Sequence, residues 1–388
     1  MTSHLKYDQK NVREYHYFLL LSLIQKHKRI TRTQLAGITK ISNTTVGKIV
    51  KELIEDGLVI EGDQKGNIGR KATFLEINPT GAHIIGVEVD ISSVQIALVS
   101  LNGTVINKRQ FQFDVKGKEK PKIVLDKVAS EILKLLEEVG KEFAKKVIAI
   151  GISMAGLISW PNGKALMVPQ FQWNDVHIKE YLESKLDYIV YVDNHVRSIL
   201  LAESLFGVIK SYKDVVCVHV GSGLGGAVMI NGEISRGTCN TLGEIGHITM
   251  EPNGQLCDCG RLGCLQTFIS SSELEKYAHA PIEDIFSAYE RGEEWSRMLI
   301  DRAKKYLGIA ISNVICMYNP EVVLLAGPMV EDYPILVEDI EQITSEQMWS
   351  PLKHTFKLVR STIGKDSGVI GASALVLNQF LRKSINES

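Results

Sequence analysis

The sequence predicts an α/β body behind a small helical head, and three observations carry that reading. From His83 onward, short apolar runs alternate with amphipathic stretches, and one run, Val147 to Ile152, is continuous in the way a strand buried on both faces requires. Between residues 12 and 57 the apolar positions recur instead at helical spacing. The length of 388 residues exceeds what a single ordinary core organises, so two or three domains are expected.

The head comes first. Tyr15, Phe18, Leu19 and Leu23 mark a helix from Val12 to Lys26, and Thr33 to Ile38 forms a short second one. Ser42 is placed to cap a third helix whose buried stripe is Val46, Ile49, Val50 and Leu53, ending near Gly57. This is helix-turn-helix spacing, and it leaves Ser42, Asn43, Thr44, Thr45 and Lys48 at the open N-terminal end, where a recognition helix meets base edges. Leu58 to Ile60 and Ala72 to Ile77 read as the two strands of a wing, with Arg70 and Lys71 at its tip. Arg32 and Lys51 could reach phosphates beside the helices. A small helical dimerisation domain with solvated charges is the competing reading.

Charge supports the first reading. The net charge is -1, yet residues 1 to 77 hold 13 Lys and Arg against 8 Asp and Glu, leaving 31 against 37 for the rest. A basic head on an acidic body suits double-stranded DNA. Apolar content of 45 % and charged content of 23 % describe a folded, soluble chain. No eighteen-residue apolar window and no apolar signal core at Met1 to Lys10 appear, so a cytoplasmic protein without a membrane partner is expected. Cys217 and Cys316 sit in apolar runs, where a free thiol behaves as a small hydrophobe.

After the linker Asn78-Pro79-Thr80-Gly81, the runs His83 to Val89, Val94 to Ser100 and Val105 to Phe113 read as strands. A helix is expected over Ile123 to Phe143, and further strands over Ile189 to Val192, Val215 to Val218 and Val322 to Ala326. The stretches Ser296 to Met317 and Ser367 to Arg382 carry apolar helical stripes without chemistry, as packing or dimer helices should.

The most specific stretch is Gly243 to Thr267. Cys257, Cys259 and Cys264 fall within eight residues, with His247 ten residues upstream. Three thiolates and one imidazole suit a closed tetrahedral zinc site that is structural, since no coordination position is left for a reacting water. Cys-Xaa-Cys is too short for an easy disulfide with itself.

Gly-Glu-Ile-Gly-His followed by Cys-Xaa-Cys-Gly-Xaa-Xaa-Gly-Cys resembles the signature of the ROK family of repressors, open reading frames and sugar kinases, and the likeness runs from about Ile84 to the C-terminus. The stretch Thr44 to Leu53 and the Gly-Arg wing likewise resemble the heads of ROK repressors of the xylose-repressor branch. The resemblance implies a winged helix-turn-helix over residues 1–77, a linker at 78–82, and a two-lobed actin-like, hexokinase-like body. Its lobes would span 83–195 with a closing helix 371–388, and 196–370 with the zinc site. It also implies a sugar held by Gln170, Asn194, His195, Glu244, His247 and Gln266.

Two departures bear on activity. Family kinases place a catalytic aspartate where this chain has His195, and Asp-Xaa-Gly-Gly-Thr where it has Glu88-Val89-Asp90-Ile91-Ser92. A general base needs its carboxylate in reach of the hydroxyl, and a phosphate loop needs its glycines. Gln170 and Gln266 also differ from common family sugar ligands. The expected protein is therefore a sugar-responsive repressor acting as a homodimer or homotetramer, and not an enzyme. A ROK sugar kinase with a DNA-binding head, or a sensor whose input is the metal, are the alternatives. Coupling between sugar and DNA is expected to pass through the short linker.

Overall fold

The computed structural model describes residues 9–62, 73–91, 93–113 and 120–382. Arg70 and Lys71, the expected wing tip, lie outside the described residues, as do Ala72 and Ser92.

The head holds α1 (Gln9–His27), β1 (Ile30–Thr31), α2 (Arg32–Thr39), α3 (Asn43–Glu55), β2 (Val59–Gly62) and β3 (Phe74–Ile77). Thr31 and Gln34 close α2 with a capping box, and Ser42 Oγ accepts the Thr45 N–H at 3.1 Å to start α3. The stripe Val46, Ile49, Val50 and Leu53 is fully buried. The three strands pair antiparallel in the order β1-β3-β2, which gives the wing a third strand that two residues, Ile30 and Thr31, were too short to announce.

Two compact units divide the chain: 1–206 with 366–388, and 207–365. The body part of the first contains β4 (His83–Val89), β5 (Ser93–Ser100), β6 (Val105–Gln112), α4 (Pro121–Val139), α5 (Lys141–Ala144) and β7 (Val147–Met154). β8 (Leu157–Ser159), β9 (Lys164–Val168), β10 (Trp173–His177), α6 (Ile178–Glu183), β11 (Val190–Asn194) and α7 (His195–Leu205) follow. The main sheet runs β11-β7-β4-β5-β6, with β11, β7 and β4 mutually parallel. The single helix expected over Ile123 to Phe143 is broken after Val139, because Gly140 takes a φ of 84° that no helix continues through.

In the second unit, β12 (Val215–Val220), β13 (Leu224–Ile230) and β14 (Glu233–Ser235) precede α8 (Gln266–Ile269), α9 (Ser271–Ala278), α10 (Ile282–Glu290) and α11 (Glu294–Tyr318). β15 (Val322–Ala326), α12 (Pro328–Glu331), α13 (Ile340–Glu346) and β16 (Lys357–Arg360) complete it, and the sheet order is β14-β13-β12-β15-β16.

The chain returns to the first unit as α14 (Ser367–Leu381), and this helix moves the expected lobe boundary. The expected boundary is 195/196; the compact units divide at 206/207, since α7 packs along α14, where a Cβ on Gly371 would stand 2.9 Å from the Ser198 carbonyl carbon. α14 also lies hard on the sheet: a side chain at Gly151 would meet the Ala372 carbonyl oxygen at 1.9 Å. Its far end reaches the head. Phe380 sits edge-on to Phe18 of α1 at 5.5 Å, and one buried cluster joins Phe18, Leu21, Ile24 and Leu75 to Ile84, Ala149, Leu377 and Leu381. The head is thus not carried by its linker alone. That segment is itself a fixed turn, with Asn78 Nδ2 donating to the Gly57 carbonyl at 2.6 Å. Among the described residues no helix is long and apolar enough to cross a membrane.

Candidate functional site

The segment 243–267 folds on itself through short backbone bonds. Met250 N–H donates to Gly263 O, Gly263 N–H to Gln255 O, and Cys257 N–H to Arg261 O, each at 2.8 Å. Gly263 is required there: its φ is 66°, and a Cβ would stand 1.6 Å from the Glu251 carbonyl oxygen. Arg261 fastens the turn from outside, donating to the His247 carbonyl at 3.2 Å and to Thr249 Oγ1 at 2.8 Å.

The result brings His247, Cys257, Cys259 and Cys264 together, with one ligand atom from each within 4.8 Å of the others. His247 Nδ1 is 3.7 Å from Cys257 Sγ, and Cys259 Sγ is 3.6 Å from Cys264 Sγ. Ligands bound at about 2.3 Å in a tetrahedron stand roughly 3.7 Å apart, so the set fits one metal ion. Burial, then the neighbouring Cys259 and Cys257, push the Cys264 thiol up to about 12. Adjacent thiolates are costly without a cation, which a bound metal supplies.

The expected sugar residues divide between the two units. Glu244 and His247 flank and close one turn, Ile245–His247; Glu244 is exposed there and Gln266, half-buried, opens α8. In the first unit Gln170 lies exposed on the turn Pro169–Phe171, while Trp173 is core, packed on Phe171 at 5.1 Å. Asn194 ends β11 and caps α7: its Oδ1 accepts the Val196 N–H at 2.9 Å and its Nδ2 donates to the Gly156 carbonyl at 3.0 Å. This fixes the amide and leaves one acceptor and one donor site on it. The glycine-rich turn 221–226 is tied to α9, the Ser271 N–H donating to Gly221 O at 2.9 Å.

His195 has partners that sequence reasoning missed. Its Nδ1 lies 3.2 Å from Ser153 Oγ and 3.5 Å from Glu88 Oε1. The parallel registers of β4, β7 and β11 set Glu88, Ser153 and Asp193 side by side at the carboxyl ends of their strands, where α/β sheets gather ligands. Only the strand pairing, not the residue spacing, could reveal that. Burial lowers the His195 pKa, and burial followed by the charges of Asp90 and Asp366 raises Glu88 to about 7. Both groups are thereby held toward their neutral forms.

A raised carboxyl means stability that is complete at low pH and lost as pH climbs from the ordinary carboxylate range through about 7. Glu88→Gln has no proton to lose. In urea melts it is expected to match the wild type near about pH 4 and exceed it near about pH 8, by at most roughly 3 kcal/mol. A difference that stays constant with pH would show that Glu88 titrates alike in the folded and unfolded chain.

On the head, Asn43, Thr44, Lys48 and Lys51 are exposed and Thr45 is half-buried. Two expected contacts are otherwise engaged. Ser42 spends its hydroxyl on the cap, and Arg32 pairs with Glu61 at 2.6 Å, an ion pair that must open before Arg32 meets phosphate. Lys51 holds only a loose pair with Glu55 at 3.6 Å. Lys40, missed in the sequence, stands exposed in a left-handed conformation (φ 60°) on the turn before α3.

Comparison with known proteins places these parts. Residues 18–60 match the description "winged helix-turn-helix DNA-binding". The xylose repressor of Bacillus spizizenii is 27 % identical over 381 residues, covering 96 % of this chain and 98 % of that one. The DNA-binding transcriptional dual regulator NagC of Escherichia coli K12 is 28 % identical over 375 residues, 92 % of this chain and 91 % of that one. Among solved structures, a ROK family transcriptional regulator, a homologue of the E. coli MLC protein, superposes with a TM-score of 0.81 at 26 % identity, over 97 % of this chain and 100 % of that one. Residues 84–379, holding both the metal set and the Asn194–His195 strand end, match the ROK family, and the chain belongs to it.

Proposed function

We propose that this chain is a sugar-responsive DNA-binding regulator, a cytoplasmic repressor of carbohydrate-utilisation genes that acts as a homo-oligomer on double-stranded operator DNA. The observation that carries this reading is the shared core: a winged head and a ROK body are joined through Phe18 and Phe380 rather than by a tether. The regulators it resembles match it over both parts, across 96 % and 92 % of this chain.

In this reading Gln170, Asn194, His195, Glu244, His247 and Gln266 hold the sugar. The metal is zinc, held by His247, Cys257, Cys259 and Cys264, and its work is to keep the sugar-contacting turn in shape. Asn43, Thr44, Thr45 and Lys48 face base edges, with Lys51, Arg70, Lys71 and a released Arg32 on phosphates. Two heads, one from each copy, meet the major groove about one helical turn or a multiple apart.

A route from sugar to DNA follows from packing. Asn194 and His195 form the start of α7, α7 lies along α14, and α14 ends against α1. A sugar that prefers one setting of α7 shifts the head by that preference and no more.

The chain phosphorylates nothing in this account. His195, buried beside Glu88 and Ser153, stands where family kinases have a carboxylate, and Asp90 adds a charge that repels a triphosphate. The test is a thermal-shift panel of mono- and disaccharides with an ADP-release assay run alongside. At least one sugar is expected to raise the melting temperature, and none to release ADP from ATP. Sugar-dependent ADP release that disappears in His195→Ala would make the chain a kinase.

A further inference from the structure

Apart from the metal set and the sugar residues, the second unit holds a cationic side chain that forms no ion pair among the described residues. Arg302 on α11 has its Nε buried without a hydrogen-bond partner, and no ion pair to its guanidinium occurs among the described residues. Aromatic rings hold it instead, Tyr277 at 4.9 Å and Phe268 at 5.7 Å from the guanidinium carbon. A half-buried guanidinium offers five donors in a fixed fork, and burying the Nε donor unpaired costs free energy.

Arg302 lines an open, solvent-facing depression of about 520 Å³. Phe268 and Tyr306 form a further wall, stacked at 4.3 Å with 26° between their planes. Asn253 and Gln255 bring exposed amides to the rim. The carboxylate on this wall, Glu251, accepts the Tyr306 hydroxyl at 2.6 Å and leaves Arg302 unpaired. None of the six sugar residues lines the depression.

We propose that this depression is a second ligand site, for a small carboxylate or phosphate monoester carried on a flat apolar body. The Arg302 fork takes the anion bidentately, as it takes carboxylate and phosphate elsewhere. The half-buried Tyr306 ring, backed by Phe268 on one side, receives the flat body, and the Asn253 and Gln255 amides donate to remaining oxygens. Residues 251–255 fall between His247 and Cys257 in the chain, so the metal clamp shapes the wall, and a ligand here stabilises the clamped loop.

Calorimetric titration of the metal-loaded full-length protein tests this with four probes: phenyl phosphate, benzoate, inorganic phosphate and phenol. Saturable binding is expected for at least one aromatic anion and for neither phenol nor, at comparable affinity, inorganic phosphate. The stronger of the two anions identifies the acid class. Arg302→Gln should weaken it about tenfold or more, the loss of a charge-assisted pair, and Arg302→Lys should recover only part because the fork is gone. Asn253→Ala with Gln255→Ala, on an exposed rim, should weaken it without loss of folding. No binding of either aromatic anion, inorganic phosphate binding as tightly as phenyl phosphate, or unchanged affinity in both Arg302→Gln and the rim variant would each overturn the proposal.

Discussion

Cys264→Ser is expected to lose the bound metal and, with it, the sugar response. Cys264 is fully buried and lies against His247 and Cys259, so a hydroxyl there removes a ligand from the inside of the set. Structural zinc contributes on the order of 10 kcal/mol to the fold of small isolated sites, and even a fraction of that exceeds what the turns of 243–267 supply by themselves. Metal analysis should find the variant empty, and calorimetry should find no sugar binding, because Glu244 and Gln266 hang on the same clamped segment. The head, in the other unit, keeps its operator affinity. If metal level instead tuned DNA affinity with sugar absent, the set would be a sensor's input.

The second large effect belongs to Phe380→Ala. Truncating a fully buried phenylalanine costs roughly 3 kcal/mol or more, and the half-buried Phe380 should cost less, the lost contacts being those between α14 and α1. Sugar affinity of the variant should stay near wild type, since Asn194 and His195 keep their partners. Operator affinity should stop responding to sugar. By linkage, sugar affinity should equally stop responding to operator. Lengthening the linker after Thr80 by ~10 Gly and Ser residues would have uncoupled the sites had the linker been the sole connection. With the Phe18–Phe380 contact intact, coupling is expected to survive that insertion.

These two cases mark how far the sequence alone reaches. The gathering of His247, Cys257, Cys259 and Cys264 was legible because they sit close in the chain, so spacing alone is close to geometry. The Ser42 cap and the buried stripe of α3 were legible for the same reason, since capping and helical period are local. Glu88 beside His195 was not, because residues 88, 153 and 195 meet only through strand register. The stripe of α14 announced a packed helix but not its partners, and periodicity reports that a face is apolar, never what covers it. Arg302 gave no signal at all. An arginine on an amphipathic helix reads as solvated until the rings around it and its unpartnered Nε are seen.

The central claim is that a sugar bound in the ROK body changes how the head holds DNA. An operator selected from random duplexes on the purified protein, followed by fluorescence anisotropy at fixed salt with and without the sugar that most raises the melting temperature, measures it directly. The account predicts an operator affinity that changes about fivefold or more with sugar, a typical coupling. The change should be absent in Asn194→Ala and Glu244→Ala, while both variants still bind operator. Operator affinity identical with and without a sugar that demonstrably stabilises the protein would contradict it.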